Sequence, residues 1–329
     1  MNERILVTGA TGALGPCVVA RLLAAGYRVR ALVRKLPSAG LLPPTVECCL
    51  GDLTEPATLT AALQGCTQVV HLAALLHIVN PSPALQAEYE RVNVQGTQSL
   101  VQAALQQGVE RLLLISTIAV YGSQPDTLLE ETTACVPDTF YGKSKLAAED
   151  IVLQARRSTG KPLGVVLRLG AVYGSRVKGN YQRLLFSLAK GRFVPIGRGE
   201  NRRSLIYEED VAAAVLLAMC AERALGQVYN VTDGQYHPVR EIIEAICVAL
   251  DRSPPRLTIP IAPVRLLCAV SEDLAKGLRI SSPVRRATLD KYTEEIRVDS
   301  RKIREQLGFR PEYDLQSGWR AAIKALQLD

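Results

Sequence analysis

The chain has 329 residues, 48% hydrophobic and 22% charged, which excludes a disordered polypeptide and leaves room for one large core or two ordinary domains. Its formal net charge is +7, but aromatics are only 5% and no basic run is interleaved with them, so nucleic acid is not an expected partner. No apolar stretch reaches the roughly 18 residues of a membrane span, and the cysteines show neither a CxxC pair nor zinc spacing. A cytoplasmic protein with reduced, mostly buried thiols and no membrane partner is expected.

The first half alternates short apolar runs with helix-length stretches, the pattern of a parallel sheet covered on both faces. Strands are expected over 4–8, 28–33, 46–49, 69–72, 111–116 and 164–169, and helices over 14–25, 57–63, 85–107 and 141–158. Six such strands predict a doubly wound α/β sheet. After Gly170 the character changes: loops with Gly, Arg and Asn surround a helix near 181–190. Further pieces follow over 203–206, 210–220 and 227–231, and prolines 254, 255, 260 and 263 then break the pattern.

Directly behind the first strand stands Val7-Thr8-Gly9-Ala10-Thr11-Gly12-Ala13-Leu14-Gly15, which opens the first helix. Gly9 permits a tight turn, Gly12 lets backbone approach a pyrophosphate, and Gly15 lets the helix sit close to the sheet. Thr11, Ala13 and Leu14 belong to the same helix entrance, whose unpaired N–H groups face an anion. The spacing is GxxGxxG rather than GxGxxG, and its strand-to-helix context is that of a dinucleotide site. At the end of the second strand an acid would hold the ribose 2′-hydroxyl, whereas Arg34 and Lys35 stand there and favour NADP over NAD. Asp52, with Leu53 beside it, follows the third strand and is placed for the adenine region.

On these grounds residues 1–170 read as a Rossmann domain. Residues 171–329 read as a smaller, mainly substrate-binding domain, with elements near 204–231 returning to the first.

Tyr141 and Lys145 are four positions apart, hence on one face of a helix. A free tyrosine titrates near ~10, too high for a base at neutral pH. A neighbouring ammonium and an oxidised nicotinamide would both favour phenolate. Thr117, at the end of the fifth strand, is within reach of a reacting oxygen. Gly142-Lys143-Ser144 imitates the end of a P-loop, but Pro137 stands where that motif needs glycine. Neither a GxSxG elbow nor an HExxH pair occurs. His71 and His77 read as structural or near-cofactor residues, and no metal site is expected.

Together with His71-Leu72-Ala73-Ala74, Asn93-Val94-Gln95-Gly96-Thr97, Val120-Tyr121-Gly122 and Arg168-Leu169-Gly170-Ala171-Val172-Tyr173-Gly174, these motifs resemble the extended short-chain dehydrogenase/reductase family over nearly the whole chain. The resemblance implies Tyr141 as acid/base, Lys145 as its partner and ribose ligand, and Thr117 as donor to the substrate oxygen. It extends the cofactor contacts to Leu72, Ala73, Ala74, Asn93 and Arg168. The second half resembles sugar-nucleotide epimerases and 4-keto-sugar reductases. That likeness implies diphosphate contacts at Asn180 and Arg203 and a base site along Phe193, Val194, Pro195 and Ile196.

The expected activity is therefore Tyr-assisted hydride transfer at a sugar carbon, C4, of a nucleotide-diphosphate sugar, by an NAD(P)-dependent epimerase or reductase. Two alternatives stand beside it: an NADPH-dependent reductase of a steroid- or flavonoid-like ketone, and a non-catalytic NADP-binding redox sensor. A homodimer pairing through the helices near 95–107 and 141–158 is also expected from the family.

Overall fold

In the computed structural model, which describes residues 3–76, 83–278 and 286–328, the strands in chain order begin with β1 (Arg4–Thr8), β2 (Arg28–Val33), β3 (Glu47–Leu50), β4 (Gln68–His71) and β5 (Arg111–Thr117). They continue with β6 (Leu128–Leu129), β7 (Gly164–Leu169), β8 (Ala171–Tyr173), β9 (Arg202–Arg203), β10 (Leu205–Tyr207), β11 (Val228–Val231), β12 (His237–Pro238) and β13 (Arg297–Val298). His77 lies outside the described residues.

Seven strands form one parallel sheet in the order β11-β7-β5-β4-β1-β2-β3. Beyond the six strands expected from the first half, β11 pairs with β7 and supplies the seventh. From β1 the chain steps to β2 on one side, while β4 lies on the other, so the β1–β4 crevice is the point where strand order reverses. Ligands of doubly wound sheets bind above such a point, at the carboxyl ends of the strands. Register brings those ends level there, with Thr8 opposite both Leu32 and His71 and Thr117 opposite Leu169.

Alternation along β1 builds two cores. Ile5 and Val7 face one layer with helices α1 (Gly15–Ala24) and α7 (Glu208–Cys220). Leu6 faces the other, with α2 (Pro56–Leu63), α4 (Gly96–Gln106) and α5 (Phe140–Gln154). This is the period-2 logic of a strand buried on both sides. The long helix expected over 85–107 is instead three pieces: α3 (Pro83–Tyr89), a π-helical turn (Glu90–Gln95) and α4. Apolar periodicity cannot register that one wide turn, which carries Asn93 and its tertiary contacts described below.

The smaller lobe has its own core. There α6 (Asn180–Ala189), α8 (Val239–Ala249) and α12 (Leu315–Leu326) close around Tyr173, Tyr207 and Trp319. The Tyr173 and Trp319 rings stack at 4.6 Å. Three further α-helices are α9 (Ile261–Leu278), α10 (Arg286–Thr293) and α11 (Arg301–Leu307).

Candidate active site

The glycine turn crosses the reversal point. Gly9 has φ of 72°, and a Cβ there would lie 2.6 Å from the Ala73 nitrogen, so only glycine lets the turn pass under the loop after β4. Gly12 N donates to Gly9 O at 2.9 Å, and Thr11 and Gly12 are exposed at the entrance to α1. Ala13 and Leu14 are half-buried behind them. A Cβ on Gly15 would sit 2.1 Å from Ala10 O, so that glycine folds the helix onto its own turn rather than onto the sheet. Bare backbone at an accessible helix entrance fits a dinucleotide pyrophosphate.

At the outer end of β2, Arg34 and Lys35 are exposed. Asp52 faces Arg34: its Oδ1 accepts from Thr54 N at 2.8 Å and Thr54 Oγ1 at 2.9 Å. Burial opposes ionisation of this carboxyl. The Thr54 hydrogen bonds, with the charges of Arg34 and Arg91, nevertheless hold it below the usual carboxylate range. Leu53 instead belongs to the core, against Gly96 of α4.

Behind the loop carrying Leu72, Ala73 and Ala74 runs a buried hydrogen-bond chain. Thr97 Oγ1 donates to Asn93 O at 2.6 Å, so towards His71 Nε2, at 3.0 Å, it acts as acceptor. His71 Nδ1 then accepts from Thr8 Oγ1 at 2.7 Å, leaving that oxygen to accept from Ala73 N at 3.3 Å. The only consistent reading is a neutral imidazole protonated on Nε2. Burial, reinforced by the charge of Lys145, pushes its pKa down to about 3. Asn93 on the π-helical turn exchanges hydrogen bonds with both backbone groups of Leu75, at 2.7 and 3.1 Å. A third, at 3.0 Å, reaches Ser144 of α5. Asn93 thus fixes the loop that borders the crevice.

Helix α5 begins with Thr139 as N-cap, its side chain accepting from Gly142 N at 3.0 Å. A Cβ on Gly142 would meet Ala119 O at 2.6 Å, so the missing side chain lets the helix close onto the turn after β5. That approach brings Tyr141 into hydrogen bonding with the Thr117 side chain. The Tyr89 ring lies 6.2 Å from that of Tyr141. Burial, together with Tyr89, pushes the Tyr141 phenol up to about 12, and Thr117 supplies the opposing influence. Thr117 thus joins the Tyr–Lys pair to which the sequence pointed, as a hydrogen-bond partner that favours the phenolate.

Lys145, one turn further on, is buried at 3% exposure, and burial pushes its pKa down to about 8 against the pull of Glu149. Glu149, a turn beyond, is the residue that sequence reasoning missed, although its i+4 spacing from Lys145 was legible. It accepts from Arg168 Nε at 3.0 and 3.1 Å and from Nη2 at 2.7 Å, and from Ser116 Oγ. Arg168 Nη1 donates to Tyr121 Oη at 3.1 Å. The guanidinium expected to reach the cofactor is therefore engaged inside the core, under α5.

In the smaller lobe Asn180 is exposed as the first residue of α6, with Gly179 rather than Asn180 as N-cap. Arg203 is half-buried, and its Nη2 donates to Lys291 O at 2.5 Å and Tyr292 O at 3.3 Å. Ile196 bridges to Ile259, with Ile259 N donating to Pro195 O at 2.9 Å. Phe193 lines a cavity of about 320 Å³ with Leu188, Cys247, Arg252 and Pro255, whose lining includes none of Thr117, Tyr141 and Lys145. Val194 points outward at 44% exposure.

Residues 5–232 match the model of the NAD dependent epimerase/dehydratase family. The chain is 30% identical to UDP-glucose 4-epimerase of Vibrio cholerae, over 99% of this chain and 96% of that protein. It is 28% identical to N-acetyl-alpha-D-glucosaminyl-diphospho-ditrans,octacis-undecaprenol 4-epimerase of Escherichia coli O157:H7, over 97% and 93%. Among solved structures, MoeE5 in complex with UDP-glucuronic acid and NAD superposes with a TM-score of 0.77 at 28% identity, over 99% of each chain.

Proposed function

This chain belongs to the NAD dependent epimerase/dehydratase family, and from that premise we propose that it moves hydride at C4 of a nucleotide-diphosphate sugar, with Tyr141 carrying the hydroxyl proton. The observation that carries the reading is the Tyr141–Thr117 hydrogen bond at the carboxyl end of β5, in the sheet whose β1 leads into the glycine turn, with Lys145 one helical turn away. Thr117 orients the substrate oxygen, and Tyr141 takes or returns its proton. Lys145, buried one helical turn from Tyr141, is the proposed cation that favours the phenolate. Bound NAD(P) would supply or accept the hydride at the carbon that bears this oxygen.

NADP is the proposed cofactor, because Arg34 and Lys35 are exposed where an acid would otherwise select NAD, and Arg91 adds positive charge beside Asp52. Asn180 and Arg203 are proposed to hold the diphosphate, and Phe193 to Ile196 the base. We also propose residues 1–170 and 171–329 as cofactor and substrate domains, a cytoplasmic location in keeping with eight unpaired cysteines, and a homodimer through α4 and α5.

Incubation with UDP-sugars and with 4-keto sugars, following NADPH absorbance and product stereochemistry together, separates the two reactions of this class. Isomerised sugar without net NADPH use means an epimerase, and stoichiometric NADPH loss means a reductase. Turnover of neither substrate set, by protein that binds NADPH, would refute the sugar-nucleotide reading.

A further inference from the structure

A lysine and a glutamate four positions apart on a helix are neighbours that can pair with each other. On α5 Lys145 and Glu149 have that spacing, and both are buried, at 3% and 1% exposure. The ion pair of Glu149 is nevertheless made with Arg168 of β7, at 2.7 Å, and not with Lys145. Arg168 Nε donates to both carboxylate oxygens, at 3.1 and 3.0 Å, and Ser116 Oγ adds a further hydrogen bond from β5. Arg168 is itself buried and tied through Nη1 to Tyr121 Oη. The carboxylate is therefore committed to the sheet, and the ammonium one turn earlier on the helix is left out of the pair.

Burial works against the Lys145 proton, because an ammonium taken out of water loses its hydration. His71, at the end of β4, senses the Lys145 charge but is a neutral imidazole held by Thr8 and Thr97. Tyr141 on α5 and Tyr121 in the turn after β5 are uncharged phenols, both pushed up by burial, and the Tyr89 ring of α3 stands beyond Tyr141. Glu90 and Arg91 of the π-helical turn and Lys143 and Asp150 of α5 are exposed. Arg168 is a cation. Glu149 is the acid whose charge reaches Lys145, and it opposes the effect of burial. A direct pair would add more attraction but capture the ammonium. A carboxylate held by Arg168 and Ser116 supplies the charge without the capture.

We propose that Glu149, held back by Arg168 and Ser116, is a positioning residue that keeps Lys145 protonated while leaving its ammonium free for Tyr141 and the cofactor. This rests on the proposed role of Lys145 beside Tyr141. Removing the carboxylate and removing its restraint should then move Lys145 in opposite directions. A pair that merely braces the fold would move it in neither.

The test is the titration of Lys145 in the full chain, followed by NMR with carbon-13 at lysine Cε and the resonance assigned by Lys145→Met. In the parent the midpoint should lie near 8, well below the ~10.4 of a free lysine. Glu149→Gln should lower it by about one pH unit, whereas Glu149→Asp, which keeps the charge, should stay near the parent. Arg168→Met should raise it, as the released carboxylate turns to Lys145. Ser116→Ala, which keeps the Arg168 pair and is the mildest change, should raise it less. With substrate present, kcat should fall as pH rises through each of these midpoints. A parent midpoint in the free-lysine range would overturn the proposal, and that measurement requires no destabilised variant. So would equal midpoints in parent and variants, whatever their loss of stability, or shifts of one sign in Glu149→Gln and Arg168→Met. The titration is read without substrate, so an absence of turnover would count against the sugar-nucleotide reading alone.

Discussion

The residues around Tyr141 and those around Arg203 are held in opposite ways. Beneath α5, side chains fix one another inside the core: Glu149 with Arg168 and Ser116, His71 with Thr8 and Thr97, Asn93 with Leu75 and Ser144. Around Arg203 many contacts end on main chain, from Arg203 to two carbonyls and from Pro195 and Gly197 to Ile259. A buried network tolerates no loosening, because each lost partner strands a polar group in low dielectric. A lobe tied by backbone can exchange its outward side chains and keep its fold. The half proposed to carry the hydride chemistry is therefore held more tightly at its site than the Arg203 region of the half proposed to choose the substrate.

If that contrast holds, removing a buried partner should have the largest effect. Glu149→Gln leaves the Arg168 guanidinium buried without its counter-charge and should destabilise the fold by about 3–5 kcal/mol, read by urea denaturation. A loss well under 1 kcal/mol would mean that the core beneath α5 relaxes as easily as a surface. Tyr141→Phe keeps the ring and its packing while removing the proton carrier. Turnover should fall on the order of a thousandfold with cofactor affinity unchanged, measured by single-turnover kinetics and by fluorescence titration with NADPH. A parallel loss of NADPH binding would show that Tyr141 serves structure rather than proton transfer.

The His71 chain gives a pH test of the same rigidity. Its folded pKa, about 3, lies below the unfolded value of 6.5, so the unfolded chain binds the extra proton between them. Stability from the neutral imidazole is complete above pH 6.5 and is lost as pH falls towards 3. Chemical denaturation of His71→Gln across that window should show a shallower acid slope than the parent. Equal slopes would mean that His71 can charge in place, and the network would then be soft.

Much of the cofactor half was legible because its signals are local. Alternating apolar runs gave β1, β2 and β7 to the residue, and the glycine spacing gave the turn that passes under Ala73. What escaped depends on contacts between distant segments. The π-helical turn carries Asn93, which reaches back to Leu75, a contact that no periodicity encodes. Arg168 follows a family motif, yet its direction is decided by Glu149, nineteen positions earlier. The helices after residue 231 were missed for a different reason. Val239–Ala249 and Leu315–Leu326 carry a local amphipathic pattern, clear of prolines 254, 255, 260 and 263, but no chemical motif marks them.

Smaller effects should come from the exposed residues. Arg34→Ser removes a guanidinium from the end of β2 and should shift the ratio of NADP to NAD affinity by about tenfold. An unchanged ratio would return the choice to NAD.

Arg203 sharpens the comparison most, because it is the charged residue on which the substrate lobe is proposed to depend. One terminal nitrogen is already committed to the carbonyls of Lys291 and Tyr292, so only the rest of the guanidinium can address a diphosphate. The group is half-buried and screened by water, which limits such a contact to a few-fold. Arg203→Ala should therefore raise KM for the sugar nucleotide a few-fold while leaving kcat and NADPH affinity near the parent values, the signature of a contact made equally in ground and transition states. A fall in kcat approaching that of Tyr141→Phe would place Arg203 in the rigid half and erase the division between the two regions.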